Sequence, residues 1–178
     1  MMQFEDRVVV GVSLSLSGLE ALRCGLAEAR RRDVPLYAVR AYFLNLETQG
    51  PEARRCSDEL ADAALRTAYE AFEAAIGGIP EDIDVTVLAV ADRADRALIR
   101  LSAGRSNLLV LGGRAGSRRM SWIVRFCLRR ATCPVVVVPP PELAERAARH
   151  GVLRALSRDV EGYVNRVAAA SRPRRTQD

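Results

Sequence analysis

The segment Leu109–Val124, LVLGGRAGSRRMSWIV, carries the residues best suited to chemistry in this chain. An apolar strand pattern breaks into glycines at Gly112, Gly113 and Gly116, and a basic helix pattern follows. A strand, a glycine-rich turn and a helix start form the usual cradle for a phosphate, because converging backbone amides and the positive end of a helix attract an anion. The segment therefore predicts either a working nucleotide loop or the remains of one.

Arginine supplies all the basic side chains apart from one histidine. The chain has 178 residues and a formal net charge of +5, and none of its 27 Lys and Arg residues is a lysine. This excludes a P-loop with its phosphate-contacting lysine and also lysine Schiff-base chemistry. No acid occurs between positions 112 and 139, and six arginines gather there: Arg114, Arg118, Arg119, Arg125, Arg129 and Arg130.

We expect this arginine cluster to be a solvated helix face whose cations favour the helix C-terminus. The alternative is an anion site in which guanidinium groups replace backbone amides. Nucleic acid is not expected as a partner. No recognised nucleic-acid-binding motif accompanies the charge, and Trp122 is the only aromatic residue expected near enough for stacking.

Catalytic groups are sparse. His150, the only histidine, falls in the C-terminal part of the chain, so no nucleophile–base pair is evident. Ser13, Ser15 and Ser17 follow the first strand pattern, and we expect them to cap the next helix rather than to act as nucleophiles. The sequence therefore predicts a protein that is not an enzyme.

The other polar candidates also favour structural roles. Asp92 and Asp95 lie near a strand end, where helix capping explains them better than acid–base or metal chemistry. The four cysteines are widely spaced and form no CxxC pair, so we expect free thiols and no metal site. They are Cys24, Cys56, Cys127 and Cys133.

Strand and helix patterns alternate along the chain, which predicts an α/β fold with a parallel sheet and helices on both faces. Ligands of such sheets bind beyond the carboxyl ends of the strands. Strands are predicted at 7–12, 34–43, 83–90, 107–113 and 133–138, with helices at 13–33, 52–76, 93–104 and 117–131.

The predicted organisation is an α/β domain at 1–140, a helical extension at 141–171 and a disordered basic tail at 172–178. Apolar residues in the extension repeat at spacings of three to five, as in an amphipathic helix. That helix could pack on its own domain, mediate dimerisation or capture a protein partner. The chain shows neither a membrane-spanning run nor a cleavable leader, and we expect it in the cytoplasm.

Three segments resemble the universal stress protein family: VVVGVSLSLSGLEALRCGLAEARRRDVPLYAVRAY, NLLVLGG and RFCLRRATCPVVVVP. The resemblance covers about Arg7 to Pro139, in order. It implies a flavodoxin-like, doubly wound five-stranded sheet with strand order 3-2-1-4-5, usually dimeric through the last strand. It also implies that the chain could bind ATP, since some members of the family do and others do not.

The chain departs from the motif that the ATP-binding members of the family share: Gly, two residues, Gly, nine residues, Gly, then Ser or Thr. Counted from Gly112, the second glycine position is Ala115, and matching back from Cys133 places Ser121 and Trp122 at the final Gly-Ser. On that match Trp122 brings a bulky ring to the phosphate position. The binding members also carry an Asp where this chain has Ser13.

The departures predict a non-enzymatic regulatory or interaction module that has lost family-type ATP binding and needs no cofactor. A homodimer, or a heterodimer with a related domain, is the expected assembly. The alternative is a sensor of ATP or another adenine nucleotide. If any nucleotide binds, the resemblance places it against Val12, Ser13, Val39, Gly112, Gly113, Gly116 and Ser121.

Overall fold

Residues 8–138 form a five-stranded parallel sheet with helices between the strands, as the sequence predicts. The computed structural model describes residues 6–43, 51–113 and 120–142. The strands lie in the order β3-β2-β1-β4-β5, so the expected order 3-2-1-4-5 is confirmed. They are β1 (Val8–Gly11), β2 (Leu36–Tyr42), β3 (Val85–Ala91), β4 (Leu108–Gly112) and β5 (Val135–Val138), and the helices are α1 (Leu16–Arg32), α2 (Pro51–Ile76), α3 (Ala94–Leu101) and α4 (Trp122–Arg130).

Two apolar cores lie on opposite faces of the sheet. Val8 and Val10 of β1 face the first core, which α1 and α2 cover, and Val9 faces the second core, which contains residues of α3 and α4. All three valines are fully buried. A β-branched run without alternating polar residues is typical of a parallel strand covered on both faces, which explains why β1 lies at the centre.

Helix α1 has a capped start and a sharp end. The Ser15 hydroxyl accepts a hydrogen bond from the Gly18 amide at 3.1 Å, so the expected capping by the serine cluster is confirmed at this residue. At the other end Asp33 adopts a left-handed conformation with φ of 55°, and its amide donates to the Ala29 and Arg30 carbonyls. The three arginines before it suit the negative end of the helix dipole.

Several helix boundaries differ from the sequence prediction, most of all the start of α4 and the end of α3. Helix α4 begins at Trp122, because Ser121 has the extended backbone of an N-cap and its hydroxyl accepts from the Val124 amide. Helix α3 ends at Leu101 with Ser102 as its cap. Gly104, with φ of 133°, lies in the turn beyond that cap and is not the cap itself.

The chain divides into two units, Met1–Pro141 and Glu142–Asp178. The predicted helical extension lies outside the described residues from position 143 onwards, as does the predicted basic tail. Of the helices that the structure describes, none combines the length and the apolar character needed to cross a membrane.

Gly25 sets the distance between α1 and β1. A Cβ at this position would overlap the Val10 Cγ2 atom. We predict that Gly25→Ala lowers the free energy of unfolding by about 1–3 kcal/mol through overpacking, although alanine is the better helix former. Urea denaturation measures this change. In a Val10→Ala background the substitution should cost less than in the native chain, and strictly additive effects would contradict the contact.

Candidate functional site

A cavity of about 170 Å³ opens at the carboxyl ends of β1 and β4. The chain passes from β1 to β2 on one side of the sheet and adds β4 on the other, so this is the point where the strand order reverses. Open α/β sheets bind their ligands at such points, because the loops on either side diverge and leave a crevice. The position of the cavity is therefore the one expected for a ligand site of this fold.

The structure brings most of the predicted site residues together. Five of the seven line this cavity, one lies beside it and one is outside the described residues. The five are Val12, Ser13, Val39, Gly112 and Ser121. Gly113 is not among the described lining residues, and Gly116 belongs to the segment 114–119, which the structure does not describe.

Gly112 is required by the packing of the fold. A Cβ at this position would lie 2.7 Å from the carbonyl carbon and oxygen of Ser17 and 2.8 Å from the Gly18 nitrogen. These are backbone atoms, so no side-chain rotation can relieve the clash. The glycine therefore lets the first turn of α1 approach the end of β4, whether or not a ligand is bound.

Gly113 has a similar structural role. Its amide donates a hydrogen bond of 2.7 Å to the Val138 carbonyl, which extends the pairing of β4 with β5. A Cβ at this position would lie 3.3 Å from the same oxygen. An amide already bound within the sheet is not available to a phosphate, so the two glycines that begin the loop do not provide a pair of free donors.

The serine hydroxyls at the cavity are bound to the starts of two helices. Ser13 Oγ lies 2.9 Å from Ser15 Oγ, which caps α1. Ser121 Oγ accepts from the Val124 amide at 3.3 Å and so caps α4. A hydroxyl that accepts in a cap still has its own proton to donate, so Ser121 could also donate to a ligand oxygen in the cavity.

Trp122 does not occupy the cavity wall that the family match predicted. It is the first residue of α4, its exposure is 59%, and its ring packs against Phe126 rather than among the described lining residues. The N-cap conformation of Ser121 makes Trp122 the first residue of α4, where its ring meets that of Phe126, four residues further along the helix. Of the two residues matched to the family's final Gly-Ser, only Ser121 is among the described residues that line the cavity.

Arg40 is the site residue that the sequence analysis missed. It follows Val39 in β2, and its Nη1 atom donates to the Val12 carbonyl at 3.2 Å. Among the described residues that line the cavity, Arg40 carries the only charge. Strand periodicity gave no signal for it, since a charged residue near a strand end normally faces solvent. The cavity therefore has an apolar floor and a positive rim.

Asp92 and Asp95 are held by arginines and do not cap α3, so the expected capping role is wrong. The N-cap is Arg93, which makes no side-chain cap bond. The Arg93 guanidinium donates to both carboxylate oxygens of Asp95 at 3.2 and 3.0 Å, and Asp95 is 3% exposed. Asp92 accepts from the Arg93 amide at 2.7 Å and pairs with Arg100. Ion pairing satisfies both carboxylates.

Cys127, a buried residue of the second core, is made unreactive by its surroundings. Burial, together with the negative charge of Asp95 and the neighbouring Cys133, raises the pKa of Cys127 to about 11. The thiolate is the nucleophilic and metal-binding form, so Cys127 stays a protonated, apolar core residue at neutral pH. Within the described ranges, no group of three or more His, Cys, Asp or Glu residues is arranged to hold a metal ion.

Comparison with known proteins connects this architecture to a family. A model described as the universal stress protein family matches residues 5–139. Two universal stress proteins of Mycobacterium tuberculosis, from strains CDC 1551 / Oshkosh and H37Rv, are each 30% identical over 141 residues, which cover 75% of this chain and 48% of theirs. The chain therefore spans about half the length of the curated relatives it matches.

Solved structures show the same fold. A universal stress protein in complex with cAMP is 24% identical with a TM-score of 0.51, and the match covers 76% of this chain and 98% of that one. The universal stress protein UspA from Lactobacillus plantarum is 16% identical with a TM-score of 0.52, over 75% of this chain and 97% of that one. At these identities the likeness concerns the arrangement of the sheet and its helices.

The environment of Cys127 leads to a prediction about thiol reactivity. Cys56 is exposed and Cys127 is fully buried. We predict that a short pulse of iodoacetamide at about pH 8 modifies Cys56 and leaves Cys127 unmodified, because the Cys127 thiol is inaccessible and its raised pKa keeps it protonated. Peptide mass spectrometry reads both sites, and unfolding in urea should make Cys127 reactive. Equal modification of both thiols in the native protein would contradict the burial.

Proposed function

Because the chain belongs to the universal stress protein family, we propose that it is a non-enzymatic regulatory module that has lost the family's mode of ATP binding. The observation that carries this proposal is the use of Gly112 and Gly113 by the fold itself. One glycine accommodates the α1 backbone, and the amide of the other is bound to Val138. Helix packing and sheet pairing therefore account for both glycines without a bound nucleotide.

A triphosphate needs several donors that converge on its oxygens. Each charge-assisted hydrogen bond contributes about 1.5–3 kcal/mol, so the loss of two weakens binding by about 10²-fold to 10⁴-fold. Gly113 has no free amide, and at the former Gly-Ser position only Ser121 lines the cavity. The residues described at the site therefore fit a triphosphate poorly.

The size of the cavity supports the same conclusion. Its volume of about 170 Å³ is below the ~300–1,000 Å³ of typical small-molecule sites. Val12 and Val39 leave an apolar space suited to a flat ring, with Arg40 at its rim. A group as large and as charged as a Mg-bound triphosphate would have to extend beyond this space.

The proposal of a non-enzymatic role rests on the ion pairing and the protonation of the candidate catalytic side chains. Asp92 and Asp95 are paired with arginines, and the Cys127 thiol is held protonated. A general base or nucleophile needs a free, suitably ionised group within reach of a substrate. None of these three side chains meets that condition.

Regulation would then act through assembly. We place this module in the cytoplasm as a homodimer, or as a heterodimer with a related domain. At the edge of the sheet, β5 pairs with β4 on one side, and its Val136 is 36% exposed. An exposed apolar edge strand favours pairing with another chain. The helical extension, whose described part ends at Glu142, remains a proposed site for a protein partner.

A second candidate function is the sensing of a smaller adenine nucleotide. Arg40 favours it, because a guanidinium at the rim of an apolar cavity suits a base or ribose that carries a single phosphate. The solved relative that is described as a complex with cAMP holds such a ligand. This candidate keeps the cavity as a ligand site but still lacks the cradle for a triphosphate.

Isothermal titration calorimetry with ATP, AMP and Mg²⁺ tests both functions. We predict no heat of binding for ATP at about 1 mM, and no phosphate release during prolonged incubation. Binding of AMP alone would favour the second candidate. A cavity-filling variant, Ala41→Leu, should abolish such binding, whereas Ala91→Leu, at an exposed position outside the described lining, should leave it unchanged.

Two results would contradict the proposed function. ATP binding tighter than about 100 μM, lost in Ala41→Leu and kept in Ala91→Leu, would overturn the loss of family-type binding. Thermal shift gives an independent check, since a ligand bound only to the folded chain raises its apparent stability. Phosphate release above that of a buffer blank would contradict the non-enzymatic role.

A further inference from the structure

One face of α4 combines aromatic rings with arginines and lies apart from the cavity. Its residues recur at helical spacing and border a shallow hollow of about 210 Å³. We call this the α4 surface, and its members are Trp122, Arg125, Phe126, Arg129 and Arg130. The residues of α4 that are buried in the core, Val124 and Cys127, lie on the other side of the helix.

The aromatic part of the surface is a stacking platform. The ring centroids of Trp122 and Phe126 are 5.4 Å apart at an interplanar angle of 55°. The Arg130 guanidinium carbon lies 5.9 Å from the centre of the Phe126 ring. Trp122 nevertheless remains 59% exposed, so most of its indole is free to contact another molecule. The sequence analysis anticipated only one aromatic residue near the arginines, and Phe126 is the second.

The arginines of the α4 surface have no acidic partner among the described residues. At the end of α1, Arg30 pairs with Asp82, and Arg31 and Arg32 both pair with Glu28. Within the part of the chain that the structure describes, Arg125, Arg129 and Arg130 form no ion pair. All three are exposed, and the sequence has no acid between positions 112 and 139. Three exposed guanidinium groups without a described acidic partner favour the approach of an anion.

We propose that the α4 surface binds single-stranded nucleic acid. Exposed aromatic faces beside arginines are the combination that such sites use, with bases stacked on the rings and phosphates held by guanidinium groups. An acidic protein segment is the less favoured occupant, because it offers carboxylates but no regular stacking partner, whereas every nucleotide of a single strand supplies both a flat base and a phosphate for the rings and arginines of this surface. The site is independent of the cavity and of any nucleotide that the cavity holds.

Trp122 provides a direct probe, because it is the only tryptophan of the chain. The full chain is titrated with a fluorescein-labelled oligouridylate of about 20 nucleotides in about 50 mM NaCl, and anisotropy measures binding. We predict quenching of the Trp122 emission on saturation with the unlabelled oligonucleotide, since a stacked base lies against the indole. Trp122→Ala should weaken binding by about tenfold.

A matched pair of variants separates local contacts from net charge. Two triple variants each remove three positive charges from a helix. The test variant carries Arg125→Gln, Arg129→Gln and Arg130→Gln. The control carries Arg30→Gln, Arg31→Gln and Arg32→Gln. The test variant should weaken binding by about 100-fold at about 50 mM NaCl and lower the slope of log K against log [NaCl] by about 2, since each phosphate contact contributes about 0.7. The control should bind like the native chain. Circular dichroism confirms that both variants fold.

Three outcomes would overturn the proposal. The first is no change in anisotropy up to about 100 μM oligonucleotide. The second is an equal loss of binding in both triple variants, which would mean non-specific attraction to net charge. The third is binding of polyglutamate of similar length as tightly as the oligonucleotide, which would assign the surface to acidic protein segments.

Discussion

The close contact between the first turn of α1 and the end of β4 is the constraint on which the rest of the structure depends. Gly112 has no Cβ, so the Ser17 backbone can lie directly against it. Gly18 allows Ser13 to approach in the same way, and Gly25 does so for Val10 further along the helix. These contacts fix α1 across β1 and β4, and the two apolar cores form on either side of the sheet thus held.

This constraint changes how the glycines after a strand should be interpreted. A glycine there can allow a phosphate to approach or can allow a helix to approach, and the sequence pattern is the same in both cases. In this chain the packing role is visible at Gly112, and Gly113 donates its amide to β5. Glycines at these two positions are therefore required by the fold whether or not a ligand binds. The residues that distinguish the two roles are those without a packing role, such as the final Gly-Ser of the motif.

The fold was predictable because alternating strand and helix patterns fix a parallel sheet with few alternative topologies. The cavity-lining residues Val12, Ser13, Val39, Gly112 and Ser121 were named by the resemblance to the family, and the rule that ligands bind at the carboxyl ends of the strands agrees with their position. The sequence did not reveal Arg40, because its role depends on a contact with the Val12 carbonyl across the sheet. It also misassigned Asp92 and Asp95, because helix capping and ion pairing with arginines on the same helix use the same residue types at similar spacing.

The arginines of α1 and those of α4 differ in whether an acidic side chain of the fold pairs with them. The arginines that end α1 are neutralised by Asp82 and Glu28, and such exposed pairs contribute little to stability but leave little net field. On α4 the same residue type lacks described acidic partners and lies beside exposed rings. Because opposite charges cancel at short range, described arginines that lack an acidic partner contribute more to the local positive field than paired ones. Among the described residues, the α4 surface combines such arginines with exposed aromatic rings, and its chemistry follows from that combination.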